Sequence, residues 1–350
     1  MNLTILGAGS FGTALANHVA KLGNDVRLWC RSATQAETIN VKRANPRYLK
    51  ECRLREEVRA DTDLESAIAF GKNTILALPA QSLRDVLLRL VPLEFTLKLE
   101  EKKFLNLSKG IEIASGKLPY QIMEEVLPNI SYSALSGPSH AEEVVRDLPT
   151  AVVIASRSHT TAQEWQMILN SPHFRVYTSD DLTGIELGGA VKNVIAVAMG
   201  VAEALNFGDN AKAALATRGL AEITRLGVAL GASPLTLAGL AGVGDLMATC
   251  YSRHSRNLRL GLAIGRGLNV EEAVAEIGQV VEGVHTVKAL VAYGRRVHIE
   301  LPIAEGVHDV LYEGASIEQV LEKLLFREPK PERHASELWP TDDSDPATSV

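Results

Sequence analysis

Apolar positions in the first half of the chain come in short dense runs, separated by longer stretches with helical spacing. LTIL (3–6), DVRLWC (25–30), NTILALP (73–79), FLNLS (104–108), YSALSG (132–137) and TAVVIAS (150–156) are the strand candidates. Several are apolar almost throughout, the pattern of strands covered on both faces. Helical stretches lie between most of them, as at 12–22 and 80–90. This alternation predicts a parallel, doubly wound sheet. From about residue 180 the pattern changes to long Ala-, Gly-, Leu- and Val-rich segments (182–206, 211–230, 256–265, 271–277, 283–293, 303–312, 317–326) with few convincing strands. The expected division is an α/β domain over 1–180, an all-helical domain over 181–330 and a disordered acidic tail over 331–350, rich in Pro, Ser, Thr and Asp. No repeat of fixed period is visible.

Composition narrows the classes. The apolar fraction is 46% and the charged fraction 22%, typical of a globular protein. The net charge is −6, and residues 331–350 hold five acids against Arg333, leaving the body near neutral. That balance carries no nucleic-acid footprint. Cys30, Cys52 and Cys250 are far apart and form no CxxC pair, which argues against a disulfide framework or a zinc site and for a reducing cytoplasm. The scattered histidines show no metal spacing. The N-terminus lacks a basic leader, and glycine interrupts its apolar run at residue 7, unlike a signal peptide. The most apolar segment, 187–205, contains Lys192, Asn193 and Glu203, and reads as a buried helix, not a membrane span.

The candidate chemistry begins at LGAGSFGTALA, where Gly7, Gly9 and Gly12 join the first strand to a helix. Tight turn, close backbone approach to a pyrophosphate, and close helix–strand packing each require one glycine. The helix N-terminus adds unpaired N–H groups and a positive dipole end. A Rossmann-like dinucleotide site is therefore expected. Where an NAD-preferring site usually has Asp or Glu, the second strand ends in Arg31 and Ser32. A guanidinium can fork onto a 2′-phosphate, so NADP(H) is preferred with NAD(H) tolerated, unless Arg31 is an ordinary surface arginine.

Three further segments suggest a reaction. In GIELGGAVKNVIAVAMG, Gly188 and Gly189 lie about one turn before Lys192 and Asn193. A lysine drawn into low dielectric loses proton affinity and becomes useful for proton transfer, whereas a snorkelling lysine does not. In GLAGVGDLMATC, Asp245 and Thr249 are spaced i, i+4 and share a helix face if the segment is helical; Asp245 could equally be a helix cap. In YSRHSRNLRLG, Arg253, Arg256 and Arg259 with Ser252, Ser255 and Asn257 suit a phosphate monoester or a solvated face. LSKGIE places Lys109 just beyond a strand end, and SGPSHAEEV places Gly137 and Ser139 before a helix.

Together GAGSFGTALA, NPRYL, LSKGIE, LSGPSHAEEV, GAVKNVIAVAMG, AGVGDLMATC, SRNLRLG and VVEG, in this order over roughly 1–325, closely resemble the bacterial-type NAD(P)-dependent glycerol-3-phosphate dehydrogenases. The resemblance implies interconversion of dihydroxyacetone phosphate and sn-glycerol 3-phosphate, supplying glycerophospholipid synthesis. It implies Lys192 as proton donor and acceptor, with Asn193, Asp245 and Thr249 in support. Lys109, Gly137, Ser139, Lys192, Asp245, Ser255, Arg256 and Asn257 are then expected around substrate. Gly7, Gly9, Ser10, Phe11, Gly12, Arg31, Lys109, Ala141, Arg256, Val280 and Glu282 are expected around cofactor. It calls for no metal and no nucleic acid, and it leaves a homodimer open. Phe11 and His140 stand where the family more often has other aromatics, and NPRYLK lacks a proline often found after the Leu. The rival readings are a two-domain hydroxy-acid or keto-acid dehydrogenase, with a carboxylate at Arg256 and Asn257, and a catalytically silent dinucleotide sensor.

Overall fold

The structure, a computed structural model, describes residues 1–329 and 332. The expected acidic tail therefore lies, apart from Glu332, outside the described residues.

Ten strands occur among the described residues: β1 (Asn2–Leu6), β2 (Asp25–Trp29), β3 (Ala44–Asn45), β4 (Leu49–Arg53), β5 (Val58–Asp61), β6 (Asn73–Leu76), β7 (Lys103–Asn106), β8 (Ser131–Ser136), β9 (Thr150–Ser156) and β10 (Phe174–Ser179). Eight of them form one sheet in the order β10-β9-β8-β7-β6-β1-β2-β5, and β3 and β4 make a small separate hairpin. The inner strands of the eight-stranded sheet are buried on both faces, as their near-continuous apolar runs require. Along β1, Leu3 and Ile5 join the core that includes Leu15, Val26, Leu28 and Trp165, while Leu6 joins Trp29, Leu83, Phe104 and Ile122. Each such side chain contributes about 1.5–3 kcal/mol when fully buried.

Two expectations are corrected. The sheet is not parallel throughout, because β8 and β9 run antiparallel. Their connection holds one helix of only four residues, Ala141–Val144, too short to carry the chain back along the sheet. Strands β5 and β10 and the β3–β4 hairpin were also not expected. β5 and β10 are sheet edges with alternating burial, so their apolar signal is diluted by exposed arginines and tyrosine.

After β10 the described chain is helical. The central element is the lysine helix, Leu182–Ala204, of which 18 residues are buried. It is long and apolar enough to cross a membrane, yet it is the core of the helical half. It crosses the helix Arg256–Gly265 at Gly200 and Gly261, where an added Cβ would collide with backbone of the opposing helix. Its N-terminal half packs against the sheet through Leu182 and Ile185, beside Ala134 and Val153. The junction of sheet and helices thus lies near the C-terminal ends of β7 and β8, where ligands of such sheets bind.

Candidate active site

The strand order reverses between β1 and β6, and the glycine loop sits at that switch point. Gly7 has φ +117°, and a Cβ there would strike the carbonyl of Ala77, which follows β6. Gly12 is pressed against the Gly7 carbonyl, so helix and strand meet backbone to backbone. Gly9 differs: a Cβ there would meet nothing within 4 Å. It is the N-cap of the helix Ser10–Lys21, which has no side-chain cap and no acid in its first turn. An open cradle before an uncapped helix N-terminus fits a pyrophosphate.

The hairpin segment holds this loop in place. Asn45 Nδ2 donates to Ala8 O at 3.0 Å and to Thr13 Oγ1 at 2.8 Å, and Ser10 Oγ donates to Tyr48 O at 2.9 Å. Asn45 opens NPRYL, a polar stretch in which nothing local marks this buried role. Phe11 is half-buried beside the loop, and Arg31 is exposed just beyond β2, free to approach a 2′-phosphate. Across the cleft Glu282 is half-buried. Its Oε1 accepts from Ala80 N at 3.3 Å, and Oε2 has no protein partner. Burial raises its carboxyl to about 7, against the Ala80 N–H and Arg256, which lower it. An orphaned buried oxygen facing a cleft invites a ligand donor. These residues fit a dinucleotide.

The reacting centre gathers around Asp245. This residue opens the helix Asp245–Tyr251, after a π-helical turn over Leu240–Gly244. Its Oδ1 accepts from Lys192 Nζ, and its Oδ2 accepts from Lys109 Nζ at 2.7 Å and Ser136 Oγ at 3.2 Å. Thr249, on the same face, donates to Asp245 O at 2.6 Å and accepts from Lys192 Nζ at 2.8 Å. Lys109 also donates to Gly137 O at 3.3 Å. Two ammonium groups share one carboxylate, which leaves an excess positive charge in a buried place. Burial lowers the Lys192 pKa to about 7; Asp245 raises it and Lys109 lowers it further. Burial also opposes the Asp245 charge, but Lys109 and Lys192 overcome this and hold its carboxyl below the ordinary value.

The paired glycines make this approach possible. A Cβ on Gly188 would stand 2.5 Å from Ala241 O, and one on Gly189 would stand 2.7 Å from Ser136 Oγ. They clear space for neighbouring elements and less for Lys192 itself. Ser136, one residue before Gly137, was missed in the sequence because nothing local marks it.

The basic segment is divided by the fold. Arg253 and Arg259 are exposed, while Arg256 is half-buried and its Nη1 donates to Val280 O at 2.7 Å. Ser255 caps its helix by accepting from Leu258 N at 3.1 Å. Asn257 is buried; its Nδ2 donates to Asn193 Oδ1 at 2.8 Å and its Oδ1 accepts from Gly283 N at 2.9 Å. Asn193 and Asn257 are thus tied to each other, with one amide hydrogen of Asn257 left over. Ser139 Oγ donates to Gly137 O at 3.0 Å, and Ala141 is buried at the start of its short helix. His140, its pKa lowered by burial, makes a 3.1 Å hydrogen bond to Ala248 O. No group of His, Cys, Asp and Glu among the described residues could hold a metal.

Profiles of two halves of one family match the chain. The N-terminus of NAD-dependent glycerol-3-phosphate dehydrogenase matches residues 2–162, and its C-terminus matches 181–322. A glycerol-3-phosphate dehydrogenase (NAD(P)+) of Pseudomonas syringae pv. tomato is 46% identical over 328 residues, covering 94% of this chain and 95% of its own. One from Pelodictyon phaeoclathratiforme is 43% identical, covering 95% and 100%. The crystal structure of glycerol-3-phosphate dehydrogenase from Coxiella burnetii superposes with TM-score 0.89 at 36% identity, covering 93% of this chain and 99% of that one.

Proposed function

Since the chain belongs to the NAD(P)-dependent glycerol-3-phosphate dehydrogenase family, and is an oxidoreductase that interconverts dihydroxyacetone phosphate and sn-glycerol 3-phosphate, we propose that Lys192 handles the proton at the C2 oxygen. The observation that carries this role is the buried Lys192 ammonium, held between Asp245 and Thr249.

NADP(H) or NAD(H), when bound, supplies or accepts the hydride. The chain's own groups do the rest. As the ketone is reduced, negative charge grows on its oxygen, and the paired Lys109 and Lys192 ammoniums stabilise it. Lys192 then gives that oxygen its proton, a step worth roughly 10²- to 10⁴-fold in rate. Asp245 keeps the two ammoniums together without cancelling both charges. Arg256, Ser255 and the spare amide hydrogen of Asn257 would hold the phosphate, with Gly137 and Ser139 beside the carbon skeleton. Binding energy gathered at the phosphate thereby aligns C2. Gly7, Gly9, Ser10, Phe11, Gly12, Arg31, Ala141, Val280 and Glu282 would line the dinucleotide.

Purified protein should oxidise NADPH in the presence of dihydroxyacetone phosphate. Absence of that activity together with oxidation driven by a 2-keto acid would transfer the substrate assignment to a hydroxy-acid dehydrogenase. A cytoplasmic location belongs to the same proposal, supported by three buried, unpaired thiols. So does a homodimer, supported by an apolar groove of about 1280 Å³ lined by Val201, Leu220, Ile303, Val307, Leu321 and Leu324. Light scattering that returns the monomer mass of 37.8 kDa would overturn it.

A further inference from the structure

Among the buried carboxyl groups that take no part in the steps above, one sits on the lysine helix itself. It is Glu186, 4% exposed. Its oxygens face donors. Oε1 accepts from the Tyr132 hydroxyl and, at 3.5 Å, from Asn106 Nδ2; Oε2 accepts from the Tyr120 backbone N–H at 3.0 Å. Tyr132 is on β8, Asn106 ends β7, and Tyr120 is in the first turn of the helix Pro119–Val126. A single side chain from the helical half therefore clamps three elements of the sheet half.

The clamp continues toward the reacting groups. Asn106 Oδ1 accepts from Ser108 N at 3.0 Å, and its Nδ2 donates to Ser108 O at 3.2 Å. That pair fixes the turn that presents Lys109. Tyr132 lies on the strand that ends at Ser136, whose hydroxyl meets Asp245. Lys192 itself is on the Glu186 helix.

We propose that Glu186 is a positioning residue for the reaction. It sets the lysine helix against the strand ends carrying Lys109 and Ser136, and so holds the Lys109–Asp245–Lys192 bridge in its reacting geometry. The residue type suits the task, because its two carboxyl oxygens already face three donors and, once ionised above a pKa of about 8, the group is acceptor-only. Glutamine would place a donor NH2 where one oxygen stands, so that either the Tyr120 N–H loses its acceptor or the Tyr132 hydroxyl must turn to accept. Burial raises the Glu186 carboxyl to about 8, the Tyr132, Tyr120 and Asn106 donors pull it down, and Glu124 raises it. Burial and Glu186 together hold the Tyr132 phenol well above its ordinary value, so it stays a donor.

The inference rests on the role given to Lys192, so three variants of the full chain are compared: Glu186→Gln, Tyr132→Phe and Lys192→Ala. Glu186→Gln should lower kcat at least about tenfold through misplaced groups, with KM for NADPH little changed. The kinetic pKa of the Lys192 step should move to lower pH, because Asp245 contact is what raises it. Tyr132→Phe should act in the same direction more weakly. Unchanged kcat and pH profile in Glu186→Gln, with only melting affected, would reduce Glu186 to a structural role. If Glu186→Gln does not fold, Tyr132→Phe decides by the same two readouts. If Lys192→Ala keeps full turnover, the Lys192 role fails instead.

Discussion

Lys192 holds its proton weakly because the fold removes water from it and sets Lys109 nearby. Ketone reduction consumes a proton, so it needs the ammonium form. Its rate should fall as pH rises through about 7, and alcohol oxidation, which needs the free amine, should rise through the same point. Profiles of kcat/KM in both directions test this, and parallel profiles would contradict it. Lys192→Ala should abolish turnover while NADPH still binds. At the other end of the cleft, Arg31 is exposed where a 2′-phosphate would lie. A charge-assisted contact is worth about 1.5–3 kcal/mol, so Arg31→Asp should raise KM for NADPH about tenfold or more, and that for NADH much less. Equal changes would remove the contact.

Two glycines show how elements share work between stability and binding. Gly188 lets the lysine helix touch the π-turn before Asp245, and a Cβ there would stand 2.5 Å from a backbone carbonyl that cannot step aside. Gly188→Ala should cost about 1–3 kcal/mol by overpacking, and should lower kcat by pushing Asp245 away from Lys192. Gly9 faces open space with φ −76°. Gly9→Ala should leave stability within about 0.5 kcal/mol while weakening NADPH binding, because its methyl group fills the cradle. Urea melts and fluorescence titration separate the two effects. Similar melting losses in both variants would deny the distinction. The sequence marks both residues as glycine and does not tell them apart, since the difference lies in which neighbour each one faces.

At the scale of the whole molecule, Asp245 is where the halves meet. Lys109 comes from the sheet side and Lys192 from the helical side, and one carboxylate binds both. Asp245→Asn removes the carboxylate that holds the buried Lys192 and the half-buried Lys109 together. Breaking a buried pair costs about 3–5 kcal/mol, so calorimetry should show a large loss of melting temperature together with loss of turnover. A variant as stable as the parent would mean that the halves are held by packing alone.

Much of this was legible in the chain. Short, near-continuous apolar runs and long Ala-rich segments determined the sheet-plus-helix architecture, because burial on two faces leaves a continuous hydrophobic signature. The glycine spacing determined a dinucleotide turn, and motif order determined the family. Local sequence also supplied the i, i+4 pairing of Asp245 and Thr249, since a helix enforces that geometry by itself. Tertiary structure alone decided the antiparallel turn of β9, the removal of Arg253 and Arg259 from the site, and the use of Asn257 to bind Asn193. It also decided that Ser136 and Glu186 matter. Their partners lie 109 and 54 residues away, at Asp245 and Tyr132, and only the packing of helix on sheet brings such groups within hydrogen-bond reach.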